Sequence, residues 1–592
     1  MKIRVADYIA NLLVEKGITN VFSVVGGGAM YLNNAFGQHK NIQSIYNHHE
    51  QASAIAAEGF ARINNKMAVA CVTTGPGGTN ALTGVLCAWL DSIPMLVISG
   101  QTRYATTVES TGLKLRQFGE QEYNIVESVK PMTKYAVMVK EPQKIRYHIE
   151  RAIYEATTGR KGPCWIDIPL DIQGALIEDI QLSGFIPPKE TRFSQEKCEV
   201  ILNKIKNAKA PVIIVGSAVG QSDCLPEMYK LVSKLNIPVL CPTSTVDAFE
   251  NSYPLYYGNF GVFGGRAGNF IIQNSDLILS LGARMSFKQI GFDFTAFAPK
   301  AEKIIVDVDC EELKKNTLKI DFPIHADLVD VVSLLNEFAT EALPVKNEWI
   351  RYCNALKERF SPLPEKAFDS VSVNPYFFAS KLQSKLPNDG IIVVGNSCAC
   401  VSLLQMGVSK KGQRLFGNVN CGSMGYDIPA AIGATLASKK PVICATGDGS
   451  FQMNIQELQT IVHNNLPVKF VVFNNEGYQA IIQTQNNFFQ GDLSGCNKNS
   501  GLSFPSFEKI AAAYGFPYKK IALNNEVGDG IDWLLGLESY GLCEVIQDTN
   551  QPIEPKVMSK KLPDGTIISP PINDLSPFLS QEEYEKYARF QY

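Results

Sequence analysis

Short, nearly continuous apolar runs alternate along this chain with longer segments whose apolar residues recur at helical spacing. Val21-Phe22-Ser23-Val24-Val25, Ala68 to Thr73, Met95 to Ser99 and Cys164 to Ile168 are such runs. A run that is apolar on both faces suits a strand covered by helices on both sides, so these predict a parallel sheet within residues 1–185. The pattern restarts at Pro211-Val212-Ile213-Ile214-Val215-Gly216 and continues through Asp276 to Gly282 and Lys303 to Asp309. That predicts a second sheet within residues 190–345, and a third unit spans 365–547. The polar stretch Ile186-Pro187-Pro188-Lys189 reads as a linker, and Leu343-Pro344 to about Val373 as a second connection with a helical Glu348 to Phe360. Residues 548–592 are proline-rich with little periodicity, so a tail wrapping over the domains is expected. The expected fold class is α/β, with three doubly wound parallel-sheet domains.

The most informative stretch lies in the third unit. Val442-Ile443-Cys444-Ala445 reads as a buried strand ending at Gly447-Asp448-Gly449-Ser450. Phe451 to His463 has helical spacing, with Ile455, Leu458 and Val462 on one face, and Leu466-Pro467 ends it. Val468 to Phe473 is a second buried strand, followed by Asn474-Asn475. A βαβ crossover makes the two strands parallel and adjacent. Asp448 and Asn475 then emerge at the carboxyl ends of neighbouring strands, where open α/β sheets bind ligands. A carboxylate and an amide oxygen so placed can share one hard divalent cation, and the glycines let backbone approach a phosphate. Gly449 and Ser450 open the next helix, whose first N–H groups suit a phosphate oxygen.

Composition narrows the function classes. The 592 residues carry a net charge of −3, with 45% hydrophobic and 19% charged residues, which is ordinary for a globular protein of about three domains. No basic excess points to nucleic acid, and no apolar run is long enough to span a bilayer. Met1 to Lys16 has an amphipathic helical pattern rather than that of a signal peptide. The fourteen cysteines are scattered, and Cys398 and Cys400 are too close together for a zinc pair. Reduced thiols, and hence a cytoplasmic location, are the expectation.

The first segment holds His49-Glu50-Gln51-Ala52, Ala56-Ala57-Glu58-Gly59-Phe60-Ala61-Arg62, Thr74-Gly75-Pro76-Gly77-Gly78-Thr79-Asn80 and Asp91-Ser92-Ile93-Pro94. Together with the Gly-Asp-Gly…Asn-Asn unit, this resembles the thiamine-diphosphate-dependent acetohydroxyacid synthase (acetolactate synthase) large-subunit-like family. The resemblance implies a pyrimidine-binding domain (1–185), a central flavin-binding-like domain (190–345), a diphosphate- and magnesium-binding domain (365–547) and a C-terminal tail (548–592). It also implies thiamine diphosphate, Mg²⁺ and FAD as cofactors, and a homodimer or homotetramer whose chains pair head to tail and share each site. Asp448, Asn475 and the Gly477 carbonyl match the family's metal ligands. Gly26, Gly395, Asn396, Ser397, Gly422, Ser423, Met424, Gly447, Gly449, Ser450 and Tyr478 match its cofactor contacts. Glu50 matches the acid that hydrogen-bonds the pyrimidine ring and serves its proton transfer, and Gln121 matches a glutamine near the reacting carbon. Gly216, Gly261, Gly264, Gly282, Arg284 and Asp307 match its flavin-contacting loops.

Three positions depart from the synthase pattern. Asn396-Ser397 stands where the synthases carry Gln-His, Glu120 where they carry Phe, and Gln483-Thr484-Gln485 where they carry Gln-Trp-Gln. A lost aromatic wall and a gained carboxylate make the acceptor side roomier and more polar. The expected activity is that of a carboligase, which decarboxylates a 2-oxo acid such as pyruvate and joins the two-carbon unit to a second carbonyl. The alternatives are a ligase for a sugar-like or other polar acceptor, a simple 2-oxo acid decarboxylase, and a flavin-linked pyruvate oxidase. Decarboxylases of this superfamily usually place a histidine pair between the first-domain motifs, and Gln101 to Gln121 contains no histidine. A catalytically dead interaction protein would not need Glu50, Asp448 and Asn475 together.

Overall fold

The computed structural model describes residues 2–188, 193–561 and 564–590. Lys189 of the expected linker and the expected start of the central domain at residue 190 lie outside them. Three six-stranded sheets, each wholly parallel, follow one another along the chain. The first comprises β1 (Asn20–Ser23), β2 (Gln43–Tyr46), β3 (Val69–Val72), β4 (Met95–Gln101), β5 (Tyr135–Met138) and β6 (Pro163–Pro169). Its order is β2-β1-β3-β4-β6-β5. Every residue of β3, β4 and β6 is buried, as expected for strands with helices on both faces. Helix α1 (Glu50–Asn64) precedes β3, and α2 (Pro76–Asp91) follows it.

The second sheet repeats the arrangement with β7 (Pro211–Val215), β8 (Val239–Pro242), β9 (Tyr256–Phe260), β10 (Leu277–Leu281), β11 (Glu302–Asp307) and β12 (Phe322–His325), in the order β9-β8-β7-β10-β11-β12. The glycine-rich stretch from Gly258 is partly strand: it forms the end of β9, paired with β8 through a register shift. Helices α3 (Arg266–Asn274) and α4 (Asn347–Arg359) pack on this domain.

The third sheet contains β13 (Ile391–Val394), β14 (Arg414–Phe416), β15 (Val442–Gly447), β16 (Val468–Asn474), β17 (Tyr518–Ile521) and β18 (Gly541–Ile546), ordered β14-β13-β15-β16-β18-β17. β15 and β16 are parallel neighbours in register from Val442–Val468 to Gly447–Phe473. α5 (Ser397–Met406) follows β13, and α6 (Asp427–Ser438) precedes β15. The helix expected over 451–463 is instead two: α7 (Asp448–Gln452) and α8 (Glu457–His463). Asn454 accounts for the break, because its amide points out of the helical path to the Gly425 carbonyl (2.6 Å) and to Gln51 Oε1 (3.0 Å). α9 (Gln479–Phe489) follows β16.

The first and third domains meet along α1 and α6. A Cβ on Gly433 would lie 2.0 Å from the Ala56 carbonyl oxygen, and one on Gly59 would lie 2.5 Å from that of Ala430. The two backbones touch, and Ala54, Ala57, Ile428 and Ile432 extend the same core on either side. The tail crosses the central domain: Val557 N–H donates to the Val262 carbonyl (2.8 Å) and Asn269 Nδ2 to that of Ile572 (2.6 Å). Its helix α10 (Gln581–Ala588) leads to Phe590, whose ring centroid lies 5.0 Å from that of Trp349.

Candidate active site

At the carboxyl ends of β15 and β16, Asp448 is almost wholly buried and gathers backbone donors. Its Oδ1 accepts from Gly449 N–H (2.7 Å), and its Oδ2 from Asn475 N–H (3.1 Å) and Gly477 N–H (3.2 Å). Burial raises its carboxyl to about 6, against the pull of these donors. Asn475 donates through Nδ2 to Gln547 Oε1 (3.3 Å), which leaves its buried Oδ1 with no hydrogen-bond partner among the described residues. A carboxylate and an orphaned amide oxygen thus share one corner. A buried acceptor without a donor is costly, and a hard cation would satisfy the Asn475 oxygen while balancing the Asp448 charge.

A cavity of about 210 Å³ opens on this corner, lined by Asn396, Ser397, Met424, Gly447, Asp448, Gly449, Ser450, Asn475, Gly477 and Tyr478 among others. A Cβ on Gly449 would lie 2.3 Å from the Tyr478 ring and 3.0 Å from Met424 Cε, so only glycine leaves the start of α7 bare between them. Gly395, Gly422 and Ser423 do not line the cavity. Asn396 Nδ2 donates to the Gly422 carbonyl (3.2 Å), and Ser423 Oγ accepts from Asn418 Nδ2 (2.9 Å). Ser450 Oγ accepts from Gly425 N–H (2.8 Å), so this hydroxyl ties α7 to the loop that carries Met424.

Gly26, Glu50 and Gln121 do not line that cavity. Glu50 begins α1, is buried, and accepts from Asn80 Nδ2 (3.0 Å). Glu457 of α8 draws this segment onto the third domain by accepting from His48 N–H and Asn47 Nδ2, each at 2.9 Å. Gly26 packs under Thr73, where a Cβ would lie 2.5 Å from the Thr73 Cβ. Gln121 is exposed with φ +54°. Thr484 turns back on the Ala480 carbonyl (2.9 Å), and Gln485 holds the Ser494 backbone through both ends of its amide. Of the residues matched to flavin, Gly282, Arg284 and Asp307 line one crevice between the first and central domains, alongside Ser217 and Arg160. Gly216 lies beneath Gly282, and Gly261 and Gly264 do not line the crevice.

Sequence reading passed over Gln547, Glu457 and Glu122. Gln547 follows β18, the strand beside β16, so its place at the same sheet end was the available signal.

Comparison with known proteins agrees with this fold. The N-terminal, central and C-terminal domains of thiamine pyrophosphate enzymes match residues 3–126, 198–335 and 394–545. The class to which the three matched domains assign the chain is therefore that of thiamine-diphosphate-dependent enzymes. The chain is 31% identical over 558 residues to acetolactate synthase isozyme 1 large subunit of Escherichia coli, covering 93% of this chain and 95% of that one. It is 28% identical over 559 residues to isozyme 2 of the same organism (93% and 97% covered). It is also 29% identical over 575 residues to the chloroplastic acetolactate synthase of Arabidopsis thaliana (94% and 83%). The chain belongs to the acetolactate synthase large-subunit family. Among its described residues no helix is long and apolar enough to cross a membrane.

Proposed function

We propose that this protein is a thiamine-diphosphate-dependent carboligase that decarboxylates pyruvate and joins the two-carbon unit to a second carbonyl compound, as in acetolactate synthesis. The observation that carries this reading is the Asp448–Asn475 corner, with its orphaned Asn475 Oδ1 facing the same space as a buried carboxylate. These residues, with the Gly477 carbonyl, would hold Mg²⁺, which neutralises Asp448 and pins a diphosphate. Gly449, with no side chain, lets the backbone at the start of α7 approach the diphosphate closely, while its own N–H stays on Asp448 Oδ1. Thiamine diphosphate would supply a carbon nucleophile for the 2-oxo acid and an electron sink for the bonding pair left behind when carbon dioxide departs. Glu50, buried at the head of α1, supplies an acid that holds the aminopyrimidine and exchanges a proton with it. Met424 would support the cofactor in its bent shape, and Gln121 would stand near the reacting carbon.

Glu50 does not line the cavity at Asp448 within one chain, which supports a head-to-tail homodimer in which a second copy completes each site. The crevice of Gly282, Arg284 and Asp307 supports a flavin held there in a structural role, and flavin absorbance surviving gel filtration tests it. The activity is tested by incubating the protein with thiamine diphosphate, Mg²⁺ and pyruvate, with and without a second 2-oxo acid or an aldehyde. Acetolactate or a mixed ligation product is expected. Acetaldehyde as the sole product would overturn the ligase assignment.

A further inference from the structure

Between Thr107 and Glu122 the first domain sends out a loop that carries Leu113, Leu115 and Phe118 into solvent. Such a loop keeps one shape only if its backbone donors find partners. Glu122, 8% exposed, provides them: its carboxylate accepts from Phe118 N–H (2.9 Å), Gly119 N–H (3.0 Å) and Val108 N–H. One side chain therefore ties the outgoing arm to the returning arm. Among the described residues it makes no ion pair, so these amides are what satisfy its charge. On the far side, Gln101 Nε2 donates to the Tyr123 carbonyl (2.9 Å) and to buried Asp167 Oδ2 (3.1 Å).

Gln121 sits between the two anchors in the left-handed region, at φ +54°, a strained conformation for a side-chain-bearing residue that persists only where its surroundings impose it. Its carbonyl oxygen presses on Gly75, where a Cβ would lie 2.1 Å away. Two residues further on, a Cβ at Gly77 would lie 3.6 Å from Glu50 Oε1. The loop, the start of α2 and the head of α1 are thus one corner of the first domain.

We propose that Glu122 is a positioning residue for the ligation step: by gathering three amides it fixes the path of the loop, and so the place of Gln121, the glutamine proposed above to stand near the reacting carbon. This rests on the carboligase reading above. The test uses the full-length protein with Mg²⁺ and thiamine diphosphate, comparing E122A and E122Q with the parent. E122A removes all three acceptor contacts, whereas E122Q keeps one acceptor oxygen and turns an amide N–H₂ toward backbone donors. With pyruvate saturating and 2-oxobutanoate titrated as acceptor, the acceptor KM is expected to rise at least tenfold in E122A. The ratio of acetaldehyde to ligated product rises with it, and E122Q falls between E122A and the parent. Deuterium exchange over residues 107–119 is expected to quicken at least tenfold in E122A, while Mg²⁺-dependent uptake of thiamine diphosphate stays within twofold.

An unchanged product ratio in an active E122A overturns the proposal, as does unchanged exchange over the loop. A loss of activity matched by an equal loss of cofactor uptake and thermal stability would mark Glu122 as merely structural and overturn it too. Failure of the parent protein to ligate at all is a different outcome, which sinks the carboligase reading itself.

Discussion

Replacing Arg62 with methionine tests how the first domain is coupled to the cofactor loop. Arg62 ends α1 with its side chain 12% exposed, donates through Nε to Glu58 Oε1 (2.6 Å), and pairs with Asp91 at the end of α2. Glu58 is fully buried and also accepts from the Tyr426 hydroxyl (2.6 Å), while Asp91 accepts from Asn420 Nδ2 (2.5 Å), two residues before Gly422. One guanidinium thus serves two buried carboxylates that reach α6 and the Met424 loop. Removing one partner of a buried ion pair costs about 3–5 kcal/mol, because the other charge is stranded. For domains of this size that is a fall of roughly 6–20 °C in melting temperature. The sign of the pH dependence follows from Glu58, whose carboxyl burial already raises while Arg62 pulls it back. Without Arg62 it rises further. A raised carboxyl favours the native state at low pH, and that advantage is lost as pH climbs through its folded value. The deficit of R62M should therefore be larger at pH 8 than at pH 5, by scanning calorimetry, and adding Glu58→Gln should recover part of it. Thiamine diphosphate affinity should fall with the loosened Asn420 loop. A deficit equal at both pH values, with no rescue by Glu58→Gln, would mean that Arg62 matters for packing alone.

Two further outcomes follow from the same physics. If Asp448 holds the metal as proposed, Asp448→Asn loses a charge-assisted contact of about 1.5–3 kcal/mol, so Mg²⁺-dependent uptake of thiamine diphosphate by calorimetry should weaken by roughly ten- to a hundredfold; an undiminished affinity would remove Asp448 from the proposed metal site. Burial holds the Asp167 carboxyl at about 7, with Ser99 and Gln101 donating to it. A carboxyl raised in this way stabilises the native state below its unfolded value near 4 and ceases to do so as pH rises through about 7. Asp167→Asn should flatten the stability profile between pH 4 and 7, and an unchanged slope would assign that dependence elsewhere.

What the sequence revealed of the fold depended on burial. β3, β6, β7, β10, β15 and β16 could be read because both of their faces are covered, which leaves a continuous apolar run. β2, β12 and β17 lie at sheet edges and bury only Ile45, Ile324 and Ile521, so no run marks them. The first strand was read too long, because Val24 and Val25 continue its apolar pattern into the loop toward Gly26, where Val25 is 60% exposed. Asp448 and Asn475 were legible through topology, since one crossover puts them side by side. Glu122 and Glu457 were not: each serves backbone donors whose positions depend on a loop path or on a second domain.

The rigidity of the seam between the first and third domains bears on how a complete site can form. Bringing Glu50 over Asp448 by closing one chain on itself would require α1 to slide on α6, whose backbones touch at Gly59 and Gly433. It would also break the Glu457 contacts to Asn47 and His48, and the Arg62 network that reaches Tyr426. Each of these is a buried polar connection that costs about 1–3 kcal/mol to leave unmade, so together they hold the two domains as one block. Supplying Glu50 from another copy breaks none of them, which is the physical argument for the head-to-tail pairing. Dilution to the monomer, followed by sedimentation, should therefore abolish cofactor uptake without unfolding the chain. A monomer that still binds thiamine diphosphate with Mg²⁺ at full affinity would refute it.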